Sequence, residues 1–349
     1  MTRVASVFAK IADVETALVR CRERDGRFVF RELGNQNMSC LDGDVRKRPA
    51  WGRWLPILSM QSWAARALIS TFQCFTLGGG SGAITMAILA ANLPKSVASD
   101  DRFFLRAAIA MALVIVAGFS VQLGMGRSTF SSPLLVHAHA IVFMGWVTLY
   151  LLQNIFATTG RMALHRRLGW IATGWIVAML VLGCWVTVAM ARRGQVPFFF
   201  RPLHIIVFDP LSLFTFAGLT TAAILMRRRT DWHRRLHFCG MSMLLGPGFG
   251  RLLPMPLLEP LAWEATFAAT MIFPFAGVFA DIRRSGNVHP AWRWGIATML
   301  GSLLLIETIT YSPVGLALYR GVTAGSSGAS VAPLKFAPPP VGPLMTGRT

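Results

Sequence analysis

Apolar residues fall in long runs cut by short polar turns, at about 103–126, 133–157, 169–191, 203–226, 236–254, 262–281 and 293–318. Each run is near the roughly 20 residues that a helix needs to cross the hydrocarbon core of a bilayer. A segment in lipid must satisfy its backbone polar groups internally, and a helix does so within one run. The pattern therefore predicts an all-α integral membrane helical bundle of about seven transmembrane helices over residues 103–320.

Within the second run the polar positions are ordered. At about 100° per residue, His139, Phe143, Trp146, Tyr150 and Gln153 share one helix face, and His137 points roughly to the opposite side. Unpaired polar groups in hydrocarbon are costly, so this aromatic and polar stripe is expected to face other helices.

The arrangement recurs downstream. His139-Ala-Ile-Val-Phe143 matches His204-Ile-Ile-Val-Phe208, and His165-Arg-Arg-Leu168 matches His233-Arg-Arg-Leu236, after an additional Arg227-Arg228-Arg229 turn. His139 precedes His165 by 26 residues and His204 precedes His233 by 29. The match is read as a duplicated helix pair forming a four-helix core, although turns of this kind also arise from basic loop composition alone.

Composition agrees with the pattern. Of 349 residues, 54% are hydrophobic and 14% charged, and the mean hydropathy is +0.53, which is the balance of a membrane protein. A net charge of +19 in a soluble chain would point to nucleic acid. Here the arginines sit in turns between apolar runs, so the expected partner is the lipid bilayer and not nucleic acid. The basic residues concentrate in alternate loops, at Arg161/Arg166/Arg167, at Arg227 to Arg229 with Arg234/Arg235, and at Arg283/Arg284. By the positive-inside rule these loops are cytoplasmic, which predicts a bacterial inner-membrane protein with its N-terminus in the cytoplasm and its C-terminus in the periplasm. Arg192, Arg193 and Arg201 run against the scheme. The five cysteines have no CxxC spacing and are expected to be reduced packing residues.

The ends read differently from the middle. Residues 1–100 lack a signal-peptide pattern and are expected to be a poorly ordered or interfacial extension, with Trp51, Trp54 and Trp63 beside Arg53 and Arg66 in an amphipathic stretch. Met86 is an alternative start of translation. The segment 321–349, rich in Gly, Ser and Pro, is expected to be a disordered tail.

In this topology His139 and His204 lie near the outer ends of the second and fourth runs, and His165, His233 and His237 lie at the inner ends of the third and fifth. If the two pairs pack about a pseudo-two-fold axis along the membrane normal, His139 and His204 approach each other. So do His165 and His233 or, one turn deeper, His237. Two facing imidazoles ligate a b-type haem axially, His139 and His204 being the stronger pair, and two such sites form an electron path across a bilayer with a quinone or other redox partner.

Over residues 133–257 this helix order resembles the ascorbate-reducible transmembrane cytochrome b family, in which histidines on the second and fourth helices hold one haem and those on the third and fifth hold another. The resemblance implies electron transfer through bis-histidine haem. Two places depart from it: His165 stands in the turn before its span, and Gly169 occupies the slot of His237. The turn His165-Arg166-Arg167-Leu168-Gly169 is similar to the HRxLG turn of uncharacterised bacterial multi-span membrane proteins, a likeness that implies a fold and no activity.

Other classes stay open. His139, His204 and Asp209 make a three-ligand set for a catalytic zinc, as in a membrane hydrolase, or the two histidines simply hydrogen-bond between helices. Ionisable and polar groups inside spans are functional suspects. Asp209, with Pro210 behind it, is expected to pair with Arg201, His137 or a proton. Arg251 is expected to pair with Glu259 or Glu264, and Glu307 to bond a neighbouring helix. Together with Gln153 they fit a transporter or a structural subunit without a cofactor.

Overall fold

A computed structural model describes residues 99–128 and 130–339; the expectations for residues 1–98, Met86 among them, and for residues 340–349 lie outside these. Among the described residues every regular element is a helix: α1 (Ser99–Gly124), α2 (Leu134–Thr158), α3 (Met162–Arg192), α4 (Pro202–Leu225), α5 (Thr230–Met243), α6 (Gly246–Leu252), α7 (Ala262–Ser285), α8 (Pro290–Thr310) and α9 (Pro313–Thr323). Short 3-10 turns occupy Met255–Leu258 and Ser327–Ser330. Five helices, α1 to α4 and α7, are long and apolar enough to cross a bilayer, and α8 with α9 makes a sixth if their 75° bend lies within one crossing.

The expected run at 236–254 is divided. α5 stops at Met243, the chain turns through Leu244 and Leu245, and α6 opens on Gly246-Pro247. Proline has no amide to give the preceding turn, so it starts a helix readily and does not continue one. Leu236, Phe238, Cys239, Gly240, Met241, Ser242 and Met243 are all buried, so the break lies among other helices, where non-helical backbone is tolerated at membrane depth.

α3 illustrates how the long helices divide their surfaces. Ala172, Ile176, Met179, Gly183, Thr187 and Ala191 recur at three- and four-residue spacing and are buried, while Trp170, Val177, Val181 and Trp185 are exposed. An outward face made of large apolar side chains suits lipid and not water. On α2 the expected inward stripe is buried at Trp146 and Tyr150.

α2 packs along α3, α3 along α4, and α4 along α5; α8 covers α4 and α5, α1 lies on α2 and α6, and α7 meets α5 and α6. In lipid such contacts rest on close fit, because hydrocarbon solvates apolar side chains as well as a neighbour does. At the α1/α6 crossing, a Cβ on Gly118 would come within 2.6 Å of the Gly248 carbonyl oxygen. The Trp175 indole enters beside Gly145 and donates its Nε1–H to the Val142 carbonyl at 2.8 Å.

Of the tail expected from residue 321, the described part folds back onto the end of the bundle where α3 finishes and α4 begins. The Leu203 N–H donates to the Pro333 carbonyl at 2.8 Å, Tyr319 donates to the Gly328 carbonyl at 3.1 Å, and Ser327 donates to the Arg192 carbonyl at 3.1 Å. Two of the three arginines that oppose the charge scheme serve this contact. Arg192 Nη1 donates to the carbonyls of Val322 and Ala324 at 2.8 and 3.2 Å. Arg201 donates to the Tyr311 hydroxyl at 2.7 Å and lies 4.5 Å over the Phe336 ring.

Candidate functional site

The arginines of the alternate loops gather at the opposite end, where α1, α3, α5 and α8 begin. Arg234 bonds Asp100 and Asp101 of α1, and Arg284 bonds Asp100 at 2.6 Å. Arg235 is buried and forks onto Asp281 of α7 through Nε and Nη2, both at 2.8 Å. Asp281 also accepts from Trp292 Nε1 at 2.8 Å. This end is called the basic end below.

Three histidines lie together just inside it. His165 is the fourth residue of α3 and His233 the fourth of α5. His165 is therefore within its helix and not in the turn before it: Gly160, at φ +71°, closes the preceding turn, and helix begins at Met162. Each ring reaches back to its own hairpin. His165 Nδ1 lies 3.2 Å from the Gln153 carbonyl oxygen, and His233 Nδ1 lies 2.8 Å from that of Ala223. A carbonyl can only accept, so each Nδ1 carries the proton and each Nε2 keeps a bare lone pair.

The two rings meet edge to face, with centroids 6.2 Å apart at 84°. His237, one turn along α5, stands 5.7 Å from His233 and packs against Trp146 at 6.0 Å and Tyr150 at 5.5 Å. Gly169, its counterpart on α3, lies beside the Gln153 side chain, where a Cβ would be 3.4 Å from Nε2. Around this cluster Trp146 Nε1, Gln153 Oε1 and His237 Nδ1 are buried without a hydrogen-bond partner. An orphaned buried donor or acceptor costs about 1–3 kcal/mol, and three of those among the described residues gather here.

The far-end pair is arranged otherwise. His139 stacks on Phe143 at 4.1 Å and has Nδ1 buried with no partner. His204 is buried among Phe208, Trp263 and Tyr311, with Nε2 3.1 Å from Glu307 Oε1. The two rings share none of these neighbours. Glu307 and Trp263 hold His204 toward α7 and α8, because they offer its N–H a carboxylate and its ring an aromatic wall. Glu307 accepts from Trp263 Nε1 as well, at 3.1 Å, and Trp263 stacks on Phe208 at 4.2 Å.

Asp209 accepts from Thr187 Oγ1 at 3.3 Å and lies within electrostatic reach of Arg251. The partners expected for Asp209 are engaged elsewhere: Arg201 with Tyr311, and His137 Nε2 with the Phe130 carbonyl at 3.1 Å. Arg251 does not bond Glu259 or Glu264. It donates to the Pro247 carbonyl at 2.8 Å and lies 4.1 Å over the Phe119 ring. Among the described residues no three His, Cys, Asp or Glu side chains stand where they could share one metal ion. That holds for His139, His204 and Asp209, and for the basic-end cluster, which can offer a metal a pair of histidines.

Two features of the site were not anticipated from sequence. The Arg235–Asp281–Trp292 set joins one arginine of a basic loop to two residues that the sequence reading does not single out. The His204–Glu307 pair spans 103 positions, and its only trace in the chain is the presence of ionisable groups within two separate apolar runs. No family model, no curated protein and no solved structure matches the chain.

Proposed function

We propose that this protein carries electrons in the bacterial inner membrane, at a b-type haem held on the basic end of its core by His165 and His233. The observation that carries the reading is the matched pair of Nδ1–H to carbonyl bonds, which leaves two Nε2 lone pairs on rings 6.2 Å apart. Metal-ligating histidines are held in this way, with the second ring nitrogen on a carbonyl or carboxylate that fixes tautomer and tilt. The chemistry of the donor set supports this reading, and the orphaned Trp146 Nε1, Gln153 Oε1 and His237 Nδ1 would supply further polar contacts. When bound, the haem supplies one-electron chemistry, with a quinone or other membrane-borne partner as donor or acceptor. The residues of the chain orient the imidazoles, and Trp146 and Tyr150 keep water from the inner side. His139 and His204 do not fit a second haem in this packing, because His204 Nε2 is engaged by Glu307.

The reading includes seven crossings, with α5 and α6 as one broken crossing and the α2–α3 and α4–α5 hairpins as a duplicated pair. The equivalent places of His165 and His233 in their helices support the duplication. The basic end is cytoplasmic. A reduced-minus-oxidised visible spectrum of the purified protein tests the function. Sharp haem b bands are expected, lost in His165→Ala and in His233→Ala and kept in His204→Ala. A wild-type protein with no bands and no bound metal would overturn it.

A second reading, proton-coupled transport, rests on Glu307, a carboxylate inside α8 that takes both His204 and Trp263. It expects Glu307→Gln to abolish acid-driven proton uptake in proteoliposomes, and uptake equal to wild type would sink it.

A further inference from the structure

His165 and His233 are each followed by two arginines, and the two pairs fare differently. Arg234 and Arg235 are taken by Asp100, Asp101, Asp231 and Asp281. Arg166 and Arg167 are exposed, and among the described residues their guanidinium groups bond nothing. The described helices offer them no acid. No Asp or Glu stands between Asp101 and Asp209 in the chain. α3 packs chiefly on α2, α4, α9 and the turn Ser327–Ser330, and of these only α4 carries an acid, Asp209. Asp209 accepts from Thr187, which is about 30 Å along α3 from Arg167 at 1.5 Å per residue. The other acids of the basic end, Asp100, Asp101, Asp231 and Asp281, are held by Arg234, Arg235 and Arg284.

The two arginines head an apolar strip. Arg166, Arg167, Trp170, Gly174 and Val177 fall on one face of α3 at three- and four-residue spacing, and all five are exposed. Trp170 and Trp185 are both exposed on this helix, and their separation, about 22 Å along the axis, suits rings at the two edges of the hydrocarbon. Arg166 and Arg167 lie one turn beyond Trp170, which puts them at headgroup depth. A Cβ on Gly174 would meet nothing within 4 Å, so the strip has a notch between Trp170 and Val177. A guanidinium presents paired N–H donors that match a phosphate. A soluble anion would leave the strip uncovered, and a second copy packed here about a two-fold axis along the membrane normal would set these arginines against their own equivalents.

We propose that this face of α3 holds one anionic glycerophospholipid, its phosphodiester on Arg166 and Arg167, its glycerol level with Trp170 and one acyl chain along Gly174 and Val177. The site does not depend on the redox reading. Native mass spectrometry of the full chain in non-ionic detergent tests it, with phosphatidylglycerol and phosphatidylcholine of the same chain length added in turn. The expected result is several-fold greater retention of phosphatidylglycerol. Arg166→Gln with Arg167→Gln should lower it to the level of phosphatidylcholine, and Gly174→Leu, which fills the notch, should lower retention of both lipids. Arg228→Gln with Arg229→Gln, which removes two exposed arginines from the equivalent turn, should leave the preference as in wild type. Equal retention of the two lipids by wild type, or an unchanged preference in the Arg166/Arg167 variant, would overturn the proposal. An equal loss in the Arg228/Arg229 variant would do so too, since it would assign the preference to overall charge. Displacement of phosphatidylglycerol by millimolar inorganic phosphate would make this a soluble-anion site, and lipid-free dimers would give the face to a second copy; either result sinks the lipid. Should the Arg166/Arg167 variant fail to fold, Arg166→Gln alone and Gly174→Leu give the same decision.

Discussion

Asp281 accepts two bonds from Arg235, one from Trp292 and one from Arg284. Removing one partner of a buried ion pair leaves the other charge without compensation, at a cost of about 3–5 kcal/mol. Asp281→Asn should therefore lower the thermal unfolding midpoint in detergent markedly, and adding Arg235→Met should restore part of the loss. His289 offers a milder test. Its Nδ1 accepts the Ala291 N–H at 3.2 Å as the N-cap of α8, and burial holds the ring below its ordinary value of 6.5. A depressed histidine contributes stability above its unfolded value and loses it as pH falls through that value and below. Once protonated, the ring no longer accepts and also opposes the positive end of the helix. Relative to its intrinsic exchange rate, the Ala291 amide should lose protection as pH falls below 6.5, and His289→Ala should show the low protection at every pH.

Helix α5 does more positioning than its length suggests, because it carries His233, His237 and Arg235 and touches α4, α7 and α8. A Cβ on Gly240 would lie 2.9 Å from Thr220 Oγ1 of α4. Overpacking of this kind costs about 1–3 kcal/mol. Gly240→Val should therefore lower the unfolding midpoint measured in detergent, since it pushes α5 away from α4. Much at this scale was legible in the chain. The apolar runs gave the positions of α1 to α4 and α7, since lipid imposes one length and one polarity on each crossing. The run at 236–254 concealed a break, because its average hydropathy does not register Gly246-Pro247. The start of α5 at Thr230 was hidden for the opposite reason: its first turns carry Asp231, Arg234 and Arg235, whose charges lower the apolar average although Arg235 is buried on Asp281. The His165 and His233 meeting could be read from matching motifs, whereas His204 with Glu307 could not, since nothing local in either helix names the other.

For the molecule as a whole, charge is sorted between two ends for two purposes. At the basic end arginines are held by Asp100, Asp101 and Asp281; at the other, Arg192 and Arg201 fasten the C-terminal segment. Arginines committed to such a clasp are consistent with a periplasmic face in spite of their charge. Single cysteines introduced at exposed Arg228 and Ser330 test the orientation. A membrane-impermeant thiol reagent applied to whole cells should label Ser330→Cys and spare Arg228→Cys, and inverted vesicles should reverse the result. Labelling of both from one side would remove the assigned topology and leave the packing untouched.

His165 and His233 are each tethered to a carbonyl of their own hairpin and to nothing in the other. Sliding or spreading of α2–α3 against α4–α5 would change the gap between the imidazoles while each kept its tilt and its proton. The pair is thus a gauge of the seam between the hairpins, sensitive to its width and indifferent to bending within either one.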